Sequence, residues 1–211
     1  MRVFVILLLS ALPALAQDSI AVLERRELAL ESSAASPSHH LRLTLAYLEG
    51  SGWTADAIHA AIGQSAQILG QCGVALEKVG LMQIRAPERF RAFYRPAARE
   101  LSSVLNLDRP TVYFVGGARV LPASDAEAFG RGNTRSRPEL RDTVWVAQGA
   151  RDLDVVLAHE IAHVLMDSGE HSQEPGNLMH EQTTPANIRL SDAQCLRLRE
   201  TGSANGLLSP R

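Results

Sequence analysis

The chain has 211 residues, 45% apolar and 21% charged, with a formal net charge of −2. This is the balance of a globular domain with one core, and it excludes collagen-like, coiled-coil and disordered chains. There is no cationic excess to neutralise a phosphate backbone and aromatic residues make up only 5%, so nucleic acid is not expected as a partner.

Met1–Ala16 reads MRVFVILLLSALPALA. One basic residue, Arg2, precedes an apolar run from Val3 to Leu12, and Ala14-Leu15-Ala16 closes it with small residues at the right spacing. The pattern is that of a secretory signal peptide cleaved before Gln17. The run is shorter than the ~18 apolar residues that read as a membrane span. The mature protein is therefore expected to be exported, periplasmic or secreted, with no membrane partner. Residues 17–40 read as a flexible segment or a short prosegment. Ile20–Leu30 could form a short helix there, and the Ser/Pro stretch 32–38 reads as a linker. The domain proper spans residues 41–211.

Leu41–Leu48 alternates apolar and polar residues and reads as a strand broken by Gly50 and Gly52. Thr54 offers an N-cap to a helix over Ala55–Leu69, whose Ile58, Ala61, Ile62, Ala66, Ile68 and Leu69 recur at helical spacing. Val74–Ile84 reads as a second strand, with Gly80 at a candidate bulge. Pro87–Asn106 is Arg-rich, helical or irregular. Its Arg89, Arg91, Arg95 and Arg99, with Arg85 before them, read as a solvated face. Thr111–Val115 is a short apolar strand. A polar loop containing Gly130-Arg131-Gly132-Asn133 leads to another strand, Thr143–Ala147. An apolar helix starts at Asp152 or Asp154 and runs to about Met166. A last helix opens at Ser191, with Gln194 completing a capping box. Tyr47, Trp53, Phe114 and Trp145 read as core, and His39, His40 and His59 as surface. The order gives one α/β (α+β) domain with a mixed sheet. Cys72 and Cys195 are the only cysteines. In an oxidising compartment a disulfide between them is favoured over two buried thiols.

The chemistry concentrates in His159-Glu160-Ile161-Ala162-His163. Two histidines at i and i+4 share one helix face and can reach a single metal ion at roughly 2.0–2.1 Å. Glu160, beside the first of them, can take a proton from water at the metal's open side. The flanks Val155-Val156-Leu157 and Val164-Leu165-Met166 are apolar nearly all round. Two histidines and a glutamate in so apolar a helix need a reason, and metal ligation supplies one. A catalytic zinc site needs a third protein ligand. The candidates downstream are Glu170, His171, Glu174, His180 and Glu181.

From His159 the chain reads HEIAHVLMDSGEHSQEPGNLMH. This run resembles the metzincin clan of zinc endopeptidases, and its closing part resembles the matrixin branch. The resemblance implies a zincin-like domain, a mixed twisted sheet packed on two long helices, with a C-terminal helix. It implies one catalytic zinc ion on His159, His163 and His171, Glu160 as general base, and Met179 in a structural methionine turn. The eight-residue separation of His171 from Met179 matches the matrixin pattern, as does Pro175. Two departures stand out. Met166 and Gly169 occupy the positions where the clan has its glycine and third histidine, so His171 arrives two residues late, and Gly169 could supply the left-handed turn. His180 replaces the tyrosine that usually follows the turn methionine; it either donates to a substrate oxyanion or is a surface residue. The clan's edge strand, which pairs with extended substrate, would correspond to Thr143–Ala147. A gluzincin arrangement would use Glu181 as third ligand, but Pro175, Gly176 and Pro185 oppose the helix it requires. No cysteine-switch propeptide motif is present. The expected function is an exported, monomeric zinc-dependent endopeptidase acting on protein or peptide substrates through a zinc-bound water. The alternative is a zinc-containing binding or scaffold protein without turnover.

Overall fold

The computed structural model describes residues 19–30, 36–118, 128–131 and 140–211. The signal-peptide reading of Met1–Ala16 lies outside them, as do residues 32–35 of the Ser/Pro stretch and Gly132-Asn133 of the polar loop.

Ala21–Leu28 (β1) is a strand, not the short helix suggested over Ile20–Leu30. It runs antiparallel along Val74–Arg85 (β3), and a register shift between Val22 and Glu24 leaves Leu23 without a partner. That bulge reverses the faces. Ile20 and Val22 pack on one side of the sheet, whereas Leu28 and Leu30, at the same parity, pack on the other. The stretch 17–40 thus holds β1 and the first two residues of His39–Leu48 (β2).

β2 is central. It is parallel to β3 on one side and to Thr111–Val115 (β5) on the other. Next to β5 lies Thr143–Ala147 (β8), parallel, and then Ala128–Arg131 (β7), antiparallel. The order is β1-β3-β2-β5-β8-β7 among the described residues, with Leu208–Pro210 (β9) pairing antiparallel to the start of β2. A small second pairing joins Ala92–Phe93 (β4) to Gly117–Ala118 (β6). Thr143–Ala147 is therefore not the edge strand. It lies between β5 and β7, and it is buried throughout because both faces of the sheet are covered there. Gly80 pairs in register on both sides, and the bulge between β2 and β3 falls instead at Glu77.

Both faces of the sheet are covered. Leu41, Leu43, Leu45 and Tyr47 of β2 face Ala55–Gly70 (α1), Leu153–Met166 (α3) and Asp192–Ala204 (α4); Ala46 and Leu48 face Arg95–Leu105 (α2). The connection from β2 to β3 moves outward and that from β3 to β5 moves back. Right-handed crossovers then place α1 and α2 on opposite sides. Thr54 caps α1 by accepting from Ala57 N at 3.2 Å. The arginines before and on α2 lie at the surface, where Arg85 pairs with Glu49, Arg89 with Glu100 and Arg91 with Glu88. Such exposed pairs contribute little each. Tyr47, Phe114 and Trp145 are buried; Trp53 is half-buried and donates to Val115 O at 2.9 Å. His39 and His40 are half-buried and His59 is exposed. Among the described residues no helix is long and apolar enough to cross a membrane.

Cys72, just past α1, and Cys195, in the first turn of α4, form a disulfide with a Cα–Cα distance of 4.9 Å. α4 also packs closely through Gly202, where a Cβ would lie 2.8 Å from Leu208 Cδ1 and 3.4 Å from Leu165 Cδ2. Gly202→Val is expected to destabilise the fold by about 1–3 kcal/mol, read as a lower urea midpoint at unchanged slope.

Candidate metal centre

α3 is buried all along from Val155 to Met166. The three polar residues within that stretch are buried with it: His159 is 3% exposed, Glu160 8% and His163 7%. The helix ends at Asp167, which takes the left-handed conformation at φ 46° and turns its N–H back to His163 O and Val164 O. Gly169 is not the left-handed residue. Aspartate tolerates that region better than most side chains, so the chain turns two residues earlier. The turn carries exposed His171 back to the helix. Its position is fixed from behind: Ser172 N donates to Met179 O at 2.7 Å, and Ser172 bridges to His180.

His159, His163 and His171 come together, their ligand atoms all within 4.8 Å of one another. The Nε2 atoms of His159 and His163 are 2.9 Å apart, and those of His163 and His171 3.3 Å. Tetrahedral zinc with Zn–N near ~2.0–2.1 Å places its nitrogens about 3.3 Å apart. The tautomers also suit a cation. His159 Nδ1 lies 2.7 Å from Leu178 O, and His163 Nδ1 2.6 Å from Ser168 O. A carbonyl only accepts, so each Nδ1 carries the hydrogen and each Nε2 presents a lone pair. Lone pairs this close repel unless a positive ion lies among them. The donor set therefore fits zinc, and the cluster could hold a metal ion.

Burial holds the His159 imidazole below its ordinary pKa. Burial, with the neighbouring His159 and His171, brings His163 down to about 4. At neutral pH His163 is thus in the uncharged form that ligates metals. In the metal-free protein this depressed pKa makes stability depend on pH. Unfolded, His163 takes up a proton near pH ~6.5; folded, it refuses one until the pH nears 4. Its stabilising contribution is complete above pH ~6.5 and is lost as pH falls toward 4. The expected loss is up to about 3 kcal/mol, measured by urea unfolding in chelator at pH 7 and pH 4.5.

The other candidate ligands do not join the cluster. Glu170 is exposed and pairs with Arg197 at 2.9 Å, which holds its carboxyl below the usual range. Glu174 and Glu181 are exposed. His180 is half-buried, and its Nδ1 accepts from Gln182 N at 3.2 Å. Met179 is 1% exposed, in the segment behind His171. Sequence reasoning missed the carbonyls of Ser168 and Leu178 and the side chain of Asn177, whose Oδ1 accepts from Met179 N at 2.9 Å. Backbone acceptors leave no mark on residue type. The asparagine directly before Leu178-Met179 was the one available signal.

No protein-family model matches the chain, and no curated protein matches it in sequence. What the site shows is a three-histidine cluster able to hold a metal ion, with a buried glutamate directly after His159.

Proposed function

We propose that this protein is an exported zinc-dependent endopeptidase, acting as a monomer on protein or peptide substrates. The convergence of His159, His163 and His171 beside Glu160 carries the proposal. Three nitrogen ligands leave a coordination position open, as catalytic sites do, whereas structural sites use four protein ligands. When bound, zinc supplies Lewis-acid polarisation of a carbonyl and brings the pKa of water to near ~7. Glu160 accepts the proton of the attacking water and passes it to the leaving amine. The carbonyls of Leu178 and Ser168 keep His159 and His163 oriented throughout.

Three further features support the reading. The run from His171 to Met179 resembles the matrixin pattern in spacing and in Pro175. β7 ends the sheet among the described residues and lies against α3, so its outer edge is where an extended peptide backbone would pair. It takes the role that Thr143–Ala147 cannot. The Met1–Ala16 pattern and the Cys72–Cys195 disulfide both suit an exported protein.

The test is cleavage of a mixed peptide library by the purified, zinc-loaded mature chain. Internal cleavage that stops with chelator and returns with zinc is expected. A chain that binds one zinc and cleaves nothing would instead be a zinc-holding binding protein.

A further inference from the structure

Gln194 is the third residue of α4 and completes its cap. Its Oε1 accepts from Ser191 N at 2.8 Å, and its own N–H donates to Ser191 Oγ at 3.2 Å. A glutamate would cap at least as well, since a carboxylate suits the first turn of a helix. The amide does something a carboxylate cannot. Gln194 Nε2 donates to Asn177 Oδ1 at 3.1 Å, and Asn177 Nδ2 donates back to Gln194 Oε1 at 2.9 Å. Both amides are oriented independently by backbone donors, Met179 N on Asn177 Oδ1 and Ser191 N on Gln194 Oε1. Asn177 is 5% exposed and Gln194 is half-buried, so this reciprocal pair is partly shielded from water.

Asn177 immediately precedes Leu178. The Leu178 N–H donates to Arg189 O at 2.6 Å, and its carbonyl accepts from His159 Nδ1 at 2.7 Å. On the other side of Gln194, Cys195 fastens α4 to the end of α1 through Cys72. A continuous path therefore runs from the disulfide through Gln194 and Asn177 to the carbonyl that orients the first histidine.

We propose that Gln194, acting through Asn177, is a positioning residue for the metal centre: it holds the Leu178 carbonyl where that carbonyl keeps His159 Nε2 free for the ion. The inference rests on His159, His163 and His171 being metal ligands, and not on peptidase activity. Outer partners of ligating histidines typically change metal affinity by about 10–100-fold when removed, and this is the loss expected here.

The test measures zinc affinity of the mature chain by competition with a chromophoric chelator, and the visible spectrum of the cobalt-loaded form. The variants are Gln194→Glu, Gln194→Ala, Asn177→Ala, the Asn177→Ala/Gln194→Glu pair and Ser191→Ala. Gln194→Glu keeps the cap but loses the donor to Asn177. It is expected to weaken zinc binding by about 10–100-fold and to alter the cobalt spectrum, with a metal-free unfolding midpoint no lower than that of Ser191→Ala. Gln194→Ala and Asn177→Ala should do the same to affinity, and the double variant should be no worse than Asn177→Ala alone. Ser191→Ala removes the capping hydroxyl and keeps the amide pair; it should lower the unfolding midpoint and leave zinc affinity at the wild-type value. Wild-type affinity in Gln194→Glu and Gln194→Ala, additive losses in the double variant, or an equal loss in Ser191→Ala would overturn the proposal. A wild-type chain that binds no zinc is a different failure, since it removes the ligand reading beneath it.

Discussion

Glu160→Gln is expected to lower kcat by about 10²–10⁴ while leaving zinc affinity unchanged. The two effects separate because Glu160 lies outside the nitrogen cluster formed by His159, His163 and His171. It sits on the same helix, 8% exposed, directly after His159. Glutamine matches its shape and can still accept a hydrogen bond, but it cannot take a proton from water at neutral pH. The measurements are kcat on the best library peptide and zinc affinity by competition. Loss of affinity would make Glu160 a ligand. An unchanged rate would remove it as the base.

The second large effect concerns the cross-link. Cys72 and Cys195 are 123 residues apart in sequence. Opening a loop of that length restores chain entropy to the unfolded state, and the loop-closure relation puts the loss at up to about 5 kcal/mol. Few single domains have more than about 5–15 kcal/mol in all, so the change is a large share of the total. Both cysteines are buried, and together they fasten the end of α1 to the first turn of α4. The Cys72→Ser/Cys195→Ser variant should show a sharply lower urea midpoint than the oxidised wild type. Equal midpoints would mean that packing alone holds α4 in place.

The parts of the molecule most legible in the sequence are those whose physics is local. The His159–His163 spacing marks one face of a helix whatever surrounds it, and the apolar flanks mark that helix as buried. Thr54 and the Ser191–Gln194 pair are read from residue type at fixed offsets, and both form the expected caps. With only two cysteines a disulfide has one possible pairing, but their closeness, which decides between it and two buried thiols, is set by the fold. What escaped depends on the rest of the chain. β1 was hidden because the bulge at Leu23 breaks its alternation. β8 gave no sign of its place in the sheet, since a fully apolar run does not tell an interior strand from an edge. β7 lies within the stretch read as a loop, and its four residues are too few to show a period. Asp167, not a glycine, takes the left-handed turn that ends α3. Gln194 looked like a cap and nothing more, because its second partner, Asn177, is 17 residues away.

The central claim is that His159, His163 and His171 together bind one zinc ion. It is tested most directly by zinc titration with X-ray absorption at the zinc edge, on the wild-type chain and on His163→Ala. One equivalent of zinc with three imidazole nitrogens at ~2.0–2.1 Å, and loss of stoichiometric binding in the variant, is the expected result. Sulfur in the coordination sphere, no stoichiometric binding by the wild type, or undiminished binding by His163→Ala would contradict it.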